Sequence, residues 1–482
     1  MMNRAAATAA AVTIPGLLPA FVAGPAWAAG ASHVDGAGLS PAWTLPLIGL
    51  LLSIALLPLA APHLWHRRYG AIAAGWALAL LAPFAWVHGA GPVAGELAHA
   101  LLAEYLPFVA LLFALFTISG GVLVTGDLRG SPAVNTALIG VGMLLASVIG
   151  TTGASMVLIR PLLRANEGRA RNAHVVVFFI FLVSNVGGAL TPLGDPPLFL
   201  GFLKGVDFFW TTLHLGAPTA VLAAILLPLF YLIDRWFRAR EAAAAAPVPR
   251  SETAPRARLG LRGLRNAPLL AGVVAAILLS GLWRPGVAFD VLGTEVTLQA
   301  IVRDAALVGL ALASIAITPR DLRTQNGFDW EPIREVAKLF AAIFVTLIPA
   351  LLILKAGARG AAAPLVALVS GPDGAPDPAA YFWLTGLLSS MLDNAPTYLV
   401  FFNLAGGDAA ALMGPLARTL AAISAGAVFM GALTYIGNAP NFMVLAIARN
   451  RGVAMPSFFG YMAWSCAVLG PCFALLTLLF FL

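Results

Sequence analysis

Two carboxylates stand in apolar sequence at positions where the chain would otherwise cross a bilayer. Asp195 belongs to Leu193-Gly-Asp-Pro-Pro197, and Asp393 begins Asp393-Asn-Ala-Pro-Thr397. A carboxylate within a membrane segment is costly, and it is by default a functional-site hypothesis. Because such a group can hold either a proton or a hard cation, the pair predicts ion handling, with Na⁺ as the metal expected at Asp195 and Asp393.

A structural role is the alternative for both aspartates. An aspartate at the first turn of a helix can cap the free backbone N–H groups and interact with the helix dipole. Asp195 directly precedes two prolines, which suits a helix start, and Asp393 could act in the same way. The sequence leaves capping and ion binding open for each of them.

Neutral oxygen donors surround the two carboxylates in the sequence. Hard cations prefer several oxygen ligands, and glycine and proline unwind a helix so that its carbonyls become available. Each amide or hydroxyl could instead bond to its own backbone. Besides the two aspartates, the residues expected to bind the ion or substrate are Thr151, Thr152, Asn185, Gly194, Asn394, Thr397, Gly437, Asn438 and Asn441.

The composition is that of a protein with many membrane segments. Of 482 residues, 60% are hydrophobic and only 10% are charged, whereas soluble domains contain about 25% charged residues. At roughly 20 residues per span, the chain can hold about ten to twelve segments. We therefore expect a multi-pass protein of a bacterial-type inner membrane, with the lipid bilayer as its surroundings.

Other function classes are disfavoured by the same sequence. The net charge of +7 comes from arginines in short loops, as cytoplasmic loops of membrane proteins require, and it does not predict a nucleic-acid partner. No zinc-protease, phosphate-binding or dinucleotide motif is present, so we expect neither an enzyme nor a cofactor other than transported or coupling Na⁺ or H⁺. The partner expected at the site is a small ion or an organic anion.

The chain divides into four regions. Residues 1–28 resemble a signal peptide ending in Ala26-Trp-Ala28, or form a retained first helix. An arginine-, alanine- and proline-rich stretch at 234–266 predicts a cytoplasmic linker. It separates an N-terminal transport repeat, 42–233, from a C-terminal transport repeat, 267–482.

An internal repeat relates these two halves. The segments 189–199 and 432–442 agree at six of eleven positions with an offset of 243, and the same offset places Thr151 on Asn394. Loop charges predict that one hairpin enters from the cytoplasm and the other from outside. The expected fold is an all-α polytopic membrane protein with two inverted-topology repeats, each of about five transmembrane helices with a re-entrant hairpin and a discontinuous helix. Secondary transporters have this architecture.

Five motifs at the hairpin tips and helix breaks form a recognisable set. They are Gly150-Thr-Thr-Gly-Ala-Ser-Met-Val-Leu-Ile-Arg-Pro161, Ser184-Asn-Val-Gly-Gly188, Leu193-Gly-Asp-Pro-Pro197, Asp393-Asn-Ala-Pro-Thr397 and Gly437-Asn-Ala-Pro-Asn441. This set resembles the motifs of the ion transporter superfamily, which contains NhaD-type sodium/proton antiporters, arsenite permeases and sodium-coupled di- and tricarboxylate transporters. The resemblance implies a homodimer. The carboxylate carriers of this superfamily typically carry Ser-Asn-Thr at each hairpin tip, whereas the tips here are Thr151-Thr-Gly153 and Asp393-Asn-Ala395.

Two transport functions follow from this resemblance. An aspartate at a tip would repel a carboxylate substrate, so the leading hypothesis is a Na⁺/H⁺ antiporter in which Asp195 and Asp393 alternate between proton and cation. The alternative is a Na⁺- or H⁺-coupled transporter of citrate or another carboxylate, with a bound cation screening the aspartate. A third hypothesis, an intramembrane aspartyl protease, would need the two aspartates to share a proton.

Overall fold

The computed structural model describes residues 34–126, 128–244 and 260–482. The segment predicted as a signal peptide, 1–28, and the centre of the predicted linker lie outside these ranges. Within them, ten helices are long and apolar enough to cross a membrane. The protein is therefore an all-α polytopic membrane protein, as the composition predicted.

The helices before position 245 build the first half of the described chain. They are α1 (Leu45–Ala60), α2 (Pro62–His88), α3 (Ala90–His99), α4 (Leu106–Ser119), α5 (Pro132–Ile149), α6 (Thr151–Ala165), α7 (Ala173–Leu182), α8 (Pro196–Leu203) and α9 (Trp210–Ala244). A π-helical segment, Ala100–Tyr105, joins α3 to α4 in one apolar span of 30 residues.

The helices after position 259 build the second half. They are α10 (Ala267–Leu282), α11 (Leu298–Ile317), α12 (Arg320–Gln325), α13 (Glu331–Ala356), α14 (Ala363–Leu368), α15 (Pro378–Met391), α16 (Asn394–Leu404), α17 (Ala409–Met413), α18 (Ala417–Phe429), α19 (Ala439–Asn450) and α20 (Phe458–Leu476). Strands are few and short in the described ranges. They are β1 (Leu123–Thr125), β2 (Gly260–Arg262), β3 (Ala288–Val291) and β4 (Thr294–Thr297), paired antiparallel as β1–β2 and β3–β4.

The ends of the stretch predicted as a linker, 234–266, have regular structure. Helix α9 continues through it to Ala244, and Gly260–Arg262 forms β2 against β1. At the start of this stretch Asp234 is fully buried and accepts hydrogen bonds from Asn135 and Arg169, which hold this part of α9 against the rest of the first half. Only the middle of this stretch, 245–259, lies outside the description, and the cytoplasmic position of the linker remains a prediction.

Each half contains a helical hairpin with a short junction. In the first, α5 packs against α6 across Gly150, whose φ of +79° is favoured for glycine because it has no Cβ. In the second, α15 packs against α16 across Leu392 and Asp393. Both junctions lie at the tips predicted from the sequence. Re-entry of each hairpin from one side of the membrane stays a prediction.

Each half also contains a broken helix. A stretch with one short 3₁₀ segment, Val186–Leu190, separates α7 from α8, and a similar segment, Met430–Leu433, precedes the break between α18 and α19. Helix α7 is buried on all sides, which explains why its sequence is continuously apolar rather than amphipathic. Prolines in the first turn suit the restart of α8 and α19, because their missing N–H is not needed there.

The hairpins and broken helices of the two halves pack across each other. Helix α6 of the first hairpin contacts α19, and α16 of the second hairpin contacts α8. The starts of equivalent helices are 243 positions apart, as Thr151 and Asn394 and as Pro196 and Ala439. The sequence repeat is therefore also a repeat of helix boundaries. The inverted orientation of the two copies remains a prediction.

Candidate functional site

In both broken helices, the unwound chain folds back so that the backbones of two glycines come into close contact. A Cβ built on Gly194 would lie 2.1 Å from the carbonyl oxygen of Gly188, and one built on Gly437 would lie 2.6 Å from that of Gly431. The two pairs are related by the offset of 243. Only glycine permits such a close backbone approach, so the glycines predicted as unwinding residues shape the site through packing.

In each half, a threonine hydroxyl of the broken helix donates a hydrogen bond to the hairpin. Thr191 Oγ1 donates to the carbonyl oxygen of Ser147 at 2.5 Å, and Thr434 Oγ1 donates to that of Ser390 at 2.5 Å. These four residues are not among the site residues predicted from the sequence. The offset of 243 relates Ser147 to Ser390 and Thr191 to Thr434. The two threonines are among the six identical positions of the repeat segments, and the two serines would be found by applying the same offset to the hairpins.

Asp195 lies at the centre of the polar groups. Its side chain is 1% exposed and accepts three hydrogen bonds. Thr151 Oγ1 and Asn438 Nδ2 donate to Oδ1 at 3.0 Å each, and Asn394 Nδ2 donates to Oδ2 at 2.5 Å. Although Asp195 occupies the N-cap position of α8, its side chain makes no capping hydrogen bond. Its carboxylate therefore joins the two repeats instead of capping its own helix.

Four helix N-termini meet at this carboxylate. Thr151 and Asn394 are the first residues of α6 and α16, and Asp195 and Asn438 directly precede α8 and α19. Each N-terminus has free N–H groups and a partial positive charge. The hydrogen bonds of Asp195 thus bring four such ends to one place, two from each repeat.

The other predicted asparagines hold the breaks together. Asn185 Nδ2 donates to Asn441 Oδ1 at 2.8 Å. Asn441 Nδ2 in turn donates to the carbonyl oxygens of Gly431 at 2.9 Å and Thr434 at 3.0 Å. These oxygens lost their helical partners where the chain unwinds, and burying them unpaired would be costly. Asn185 and Asn441 therefore serve the backbone of the breaks.

Asp393 and Thr397 occupy different surroundings from those expected. Asp393 is half-buried, and its Oδ1 accepts from the backbone N of Ala395 at 3.2 Å, which is the capping alternative. Thr397 Oγ1 donates to the carbonyl oxygen of Asp393 at 3.0 Å. The two aspartates are not hydrogen-bonded to each other, because Asp393 turns to its own helix. This geometry gives no support to a proteolytic pair, and Na⁺ binding by Asp393 remains a prediction.

A cavity adjoins Asp195 on the side of the first hairpin. Its polar lining includes Thr151, Asp195 and the half-buried Thr152, together with the backbone of Gly194. Its remaining walls are mostly apolar. They come chiefly from α4, α13 and α19, with Phe108, Leu115, Phe116, Ile333, Val336 and Met443. Thr152 is thus a lining residue, whereas Asn394 and Asn438 reach Asp195 from the opposite repeat.

One acceptor at the centre lacks a partner. Asn394 Oδ1 is buried and receives no hydrogen bond from any residue that the structure describes. An amide oxygen with free lone pairs is a suitable ligand for a hard cation. Within the ranges 34–126, 128–244 and 260–482, Asp195 forms no ion pair with lysine, arginine or histidine. A cation next to Asp195 would therefore meet acidic and neutral oxygens.

Comparison with known proteins identifies the family. No curated protein matches the chain. A family model, CitMHS_2, described as "Putative citrate transport", matches residues 36–481, which is nearly the whole sequence. The match agrees with the citrate-transporter type of the ion transporter superfamily, whereas a specific relation to NhaD-type antiporters stays a prediction. The chain belongs to this citrate-transport family of membrane transporters.

Proposed function

We propose that the protein is a secondary transporter that carries citrate or a related carboxylate across the membrane, coupled to Na⁺ or H⁺. The family description supports the cargo. The observation that carries the proposal is the meeting of four helix N-termini at Asp195, because N–H groups and helix dipoles can bind carboxylates where lysine and arginine are absent.

A coupling cation would solve the electrostatic problem of this site. Asp195 and a citrate carboxylate repel each other when both are charged and close, and a proton or Na⁺ on Asp195 removes that repulsion. Asn394 Oδ1 and the Asp195 carboxylate are the oxygens available to such a cation. The cargo would then bind well only after the cation, which couples the two gradients.

Na⁺/H⁺ antiport without an organic cargo is the second candidate. The observation that favours it is the lack of a basic partner for Asp195 among the described residues, since a site of acidic and neutral oxygens suits a cation alone. The family description favours citrate, so we place antiport second.

The two candidates differ in proteoliposomes. Uptake of radiolabelled citrate would be measured under an imposed Na⁺ gradient and separately under an imposed pH gradient, and a pH dye inside the vesicles would report proton movement. Citrate transport predicts gradient-driven citrate accumulation and little Na⁺-driven proton movement without citrate. Na⁺-driven proton movement in the absence of citrate, with no citrate uptake, would establish antiport instead.

Asp195→Asn tests the role of the carboxylate. The substitution keeps the shape of the side chain but removes its charge, so we expect gradient-driven citrate uptake to fall by about tenfold or more, as for loss of one charge-assisted contact. The matched control is Asp207→Asn, because Asp207 is exposed and close in the sequence. It should stay within about twofold of the wild type, as expected for a surface change. Equal uptake by the two variants would contradict a coupling role for Asp195.

A further inference from the structure

An arginine with an unpaired nitrogen lies on the same helix as Thr151. Arg160 is nine residues further along α6, about 14 Å away at the usual helical rise. Its Nη2 donates to the carbonyl oxygen of Gly327 at 3.0 Å. Its Nη1 is buried and has no hydrogen-bond partner among the residues that the structure describes. A buried donor of this kind is costly unless something else satisfies it.

The positive charge of Arg160 is also uncompensated. Two other arginines of low exposure have carboxylate partners, Arg169 at 2.6 Å from Asp234 and Arg303 at 2.7 Å from Asp304, whereas the half-buried Arg323, like Arg160, bonds only to neutral oxygens among the described residues. No ion pair of Arg160 occurs in the described part of the chain, and the charged groups that act on it are Arg164 and Arg451, both positive. The region around Arg160 therefore has an excess of positive charge, and one guanidinium N–H of Arg160 has no acceptor among the described residues.

A small apolar cluster lies between Thr151 and Arg160 in the order along α6, and we refer to it as the apolar constriction. Phe116, Met156 and Ile333 form a small buried cluster, with Met443 packed against it. Phe116, Ile333 and Met443 also line the cavity. Met156 is one turn before Arg160 on α6, so the order along the helix is Thr151, constriction and then Arg160. The arginine is thus the first cationic group on α6 beyond the constriction.

We propose that Arg160 binds a carboxylate group of the cargo on the side of the constriction away from Asp195. This inference rests on the proposed function, because it requires an oxyanion as cargo. A guanidinium with a free N–H is well suited to a carboxylate, since it is always charged and its donors have a fixed geometry. Leaving cargo would pass the apolar constriction and be drawn to Arg160, and entering cargo from that side would meet it first.

Sided transport kinetics test this role. Citrate KM and maximal rate would be measured in inside-out and right-side-out vesicles for the wild type, Arg160→Gln and Arg160→Lys. We expect Arg160→Gln to raise the citrate KM about ten- to hundredfold on one side only, as for one lost charge-assisted hydrogen bond. Arg160→Lys should recover part of this loss, because lysine keeps the charge but not the planar donors.

The control is Arg451→Gln. Arg451 belongs to the same positive region but has a carboxylate partner, Glu167, at 3.2 Å. It should leave the KM on both sides within about twofold of the wild type, as for an exposed ion pair. An unchanged citrate KM on both sides in Arg160→Gln would overturn the proposal. An equal rise in KM on both sides together with a lower maximal rate would also overturn it, in favour of a structural role.

Two further outcomes separate the remaining explanations. The phosphate of an anionic lipid offers the same oxyanion chemistry as a carboxylate. If the effect of Arg160→Gln vanishes in vesicles of phosphatidylcholine alone, the ligand is a lipid headgroup and the proposal for the cargo is wrong. If the wild type carries neither citrate nor a related carboxylate, the proposed function fails and this inference fails with it. If the wild type transports citrate and Arg160→Gln has the same KM on both sides, the proposed function stands and only the role of Arg160 is refuted.

Discussion

Replacement of Gly194 by alanine is the sharpest test of how the first break is built. The new Cβ would lie 2.1 Å from the carbonyl oxygen of Gly188, 2.7 Å from its carbonyl carbon and 2.9 Å from its Cα. All three are backbone atoms, so no side-chain rotation can relieve the overlap. Since ordinary contact begins at 3.4 Å, the two segments must separate by about 1.3 Å.

That separation reaches the site directly. The carbonyl oxygen of Gly194 accepts from the backbone N of Thr151 at 2.8 Å, and Asp195 is the next residue. A shift of this size would stretch the bond to Thr151 beyond hydrogen-bonding distance. Overpacking costs about 1–3 kcal/mol, and the lost bond costs about 0.5–1.5 kcal/mol. We therefore expect about 2–4 kcal/mol less stability and loss of citrate uptake.

The assay combines thermal unfolding in detergent with proteoliposome uptake. The matched control is Gly216→Ala, because Gly216 lies within α9 and a Cβ there meets nothing within 4 Å. In the control we expect unchanged stability, or a gain of about 0.5–1 kcal/mol from the better helix propensity of alanine. If Gly194→Ala unfolds at the same temperature as Gly216→Ala and transports equally well, the close glycine contact does not shape the site.

Two further predictions concern stability and use the same unfolding measurement. Asn441→Ala leaves buried carbonyl oxygens of the second break without donors and should lower the free energy of unfolding by about 2–4 kcal/mol. Its control is Asn450→Ala, at an exposed position, and equal unfolding temperatures of the two variants would contradict the role of Asn441 in bonding the break. Asp234→Asn removes the fully buried partner of Arg169 and should cost about 3–5 kcal/mol. Asp321→Asn breaks only an exposed pair and should cost at most about 1 kcal/mol, so equal losses would refute this reasoning.

The membrane fold could be predicted from sequence because its causes are local. Apolar composition predicts the spans, and glycine and proline mark where helices break. The repeat with an offset of 243 then placed both hairpin tips, at Thr151 and Asn394, where the structure has helix starts. Asp195 contacts its repeat equivalent Asn438, and it also contacts Thr151, whose equivalent is Asn394. The roles of these residues in binding an ion or a substrate stay predictions.

Other features could not be read from local sequence. The sequence alone left capping open for both aspartates, and the structure separates them, since only Asp393 bonds to the N–H of its own helix. This difference depends on what packs against each residue. Asp195 faces donors from the other repeat, Asn394 and Asn438. The packing of α16 on α8 brings Asn394 close, and Asn438 precedes α19, which packs on α6. Such donors are about 200 positions or more distant in the chain.

The packing also explains why only one of the two repeat-related positions is acidic. Asp195 and its equivalent Asn438 touch directly, with Nδ2 and Oδ1 at 3.0 Å. A second carboxylate at 438 would bring two like charges into contact in a buried place, and one of them would have to take up a proton. An asparagine supplies the donor that the first carboxylate needs. The asymmetry between the halves thus follows from their contact, and it leaves Asp195 as the acidic member of this repeat-related pair.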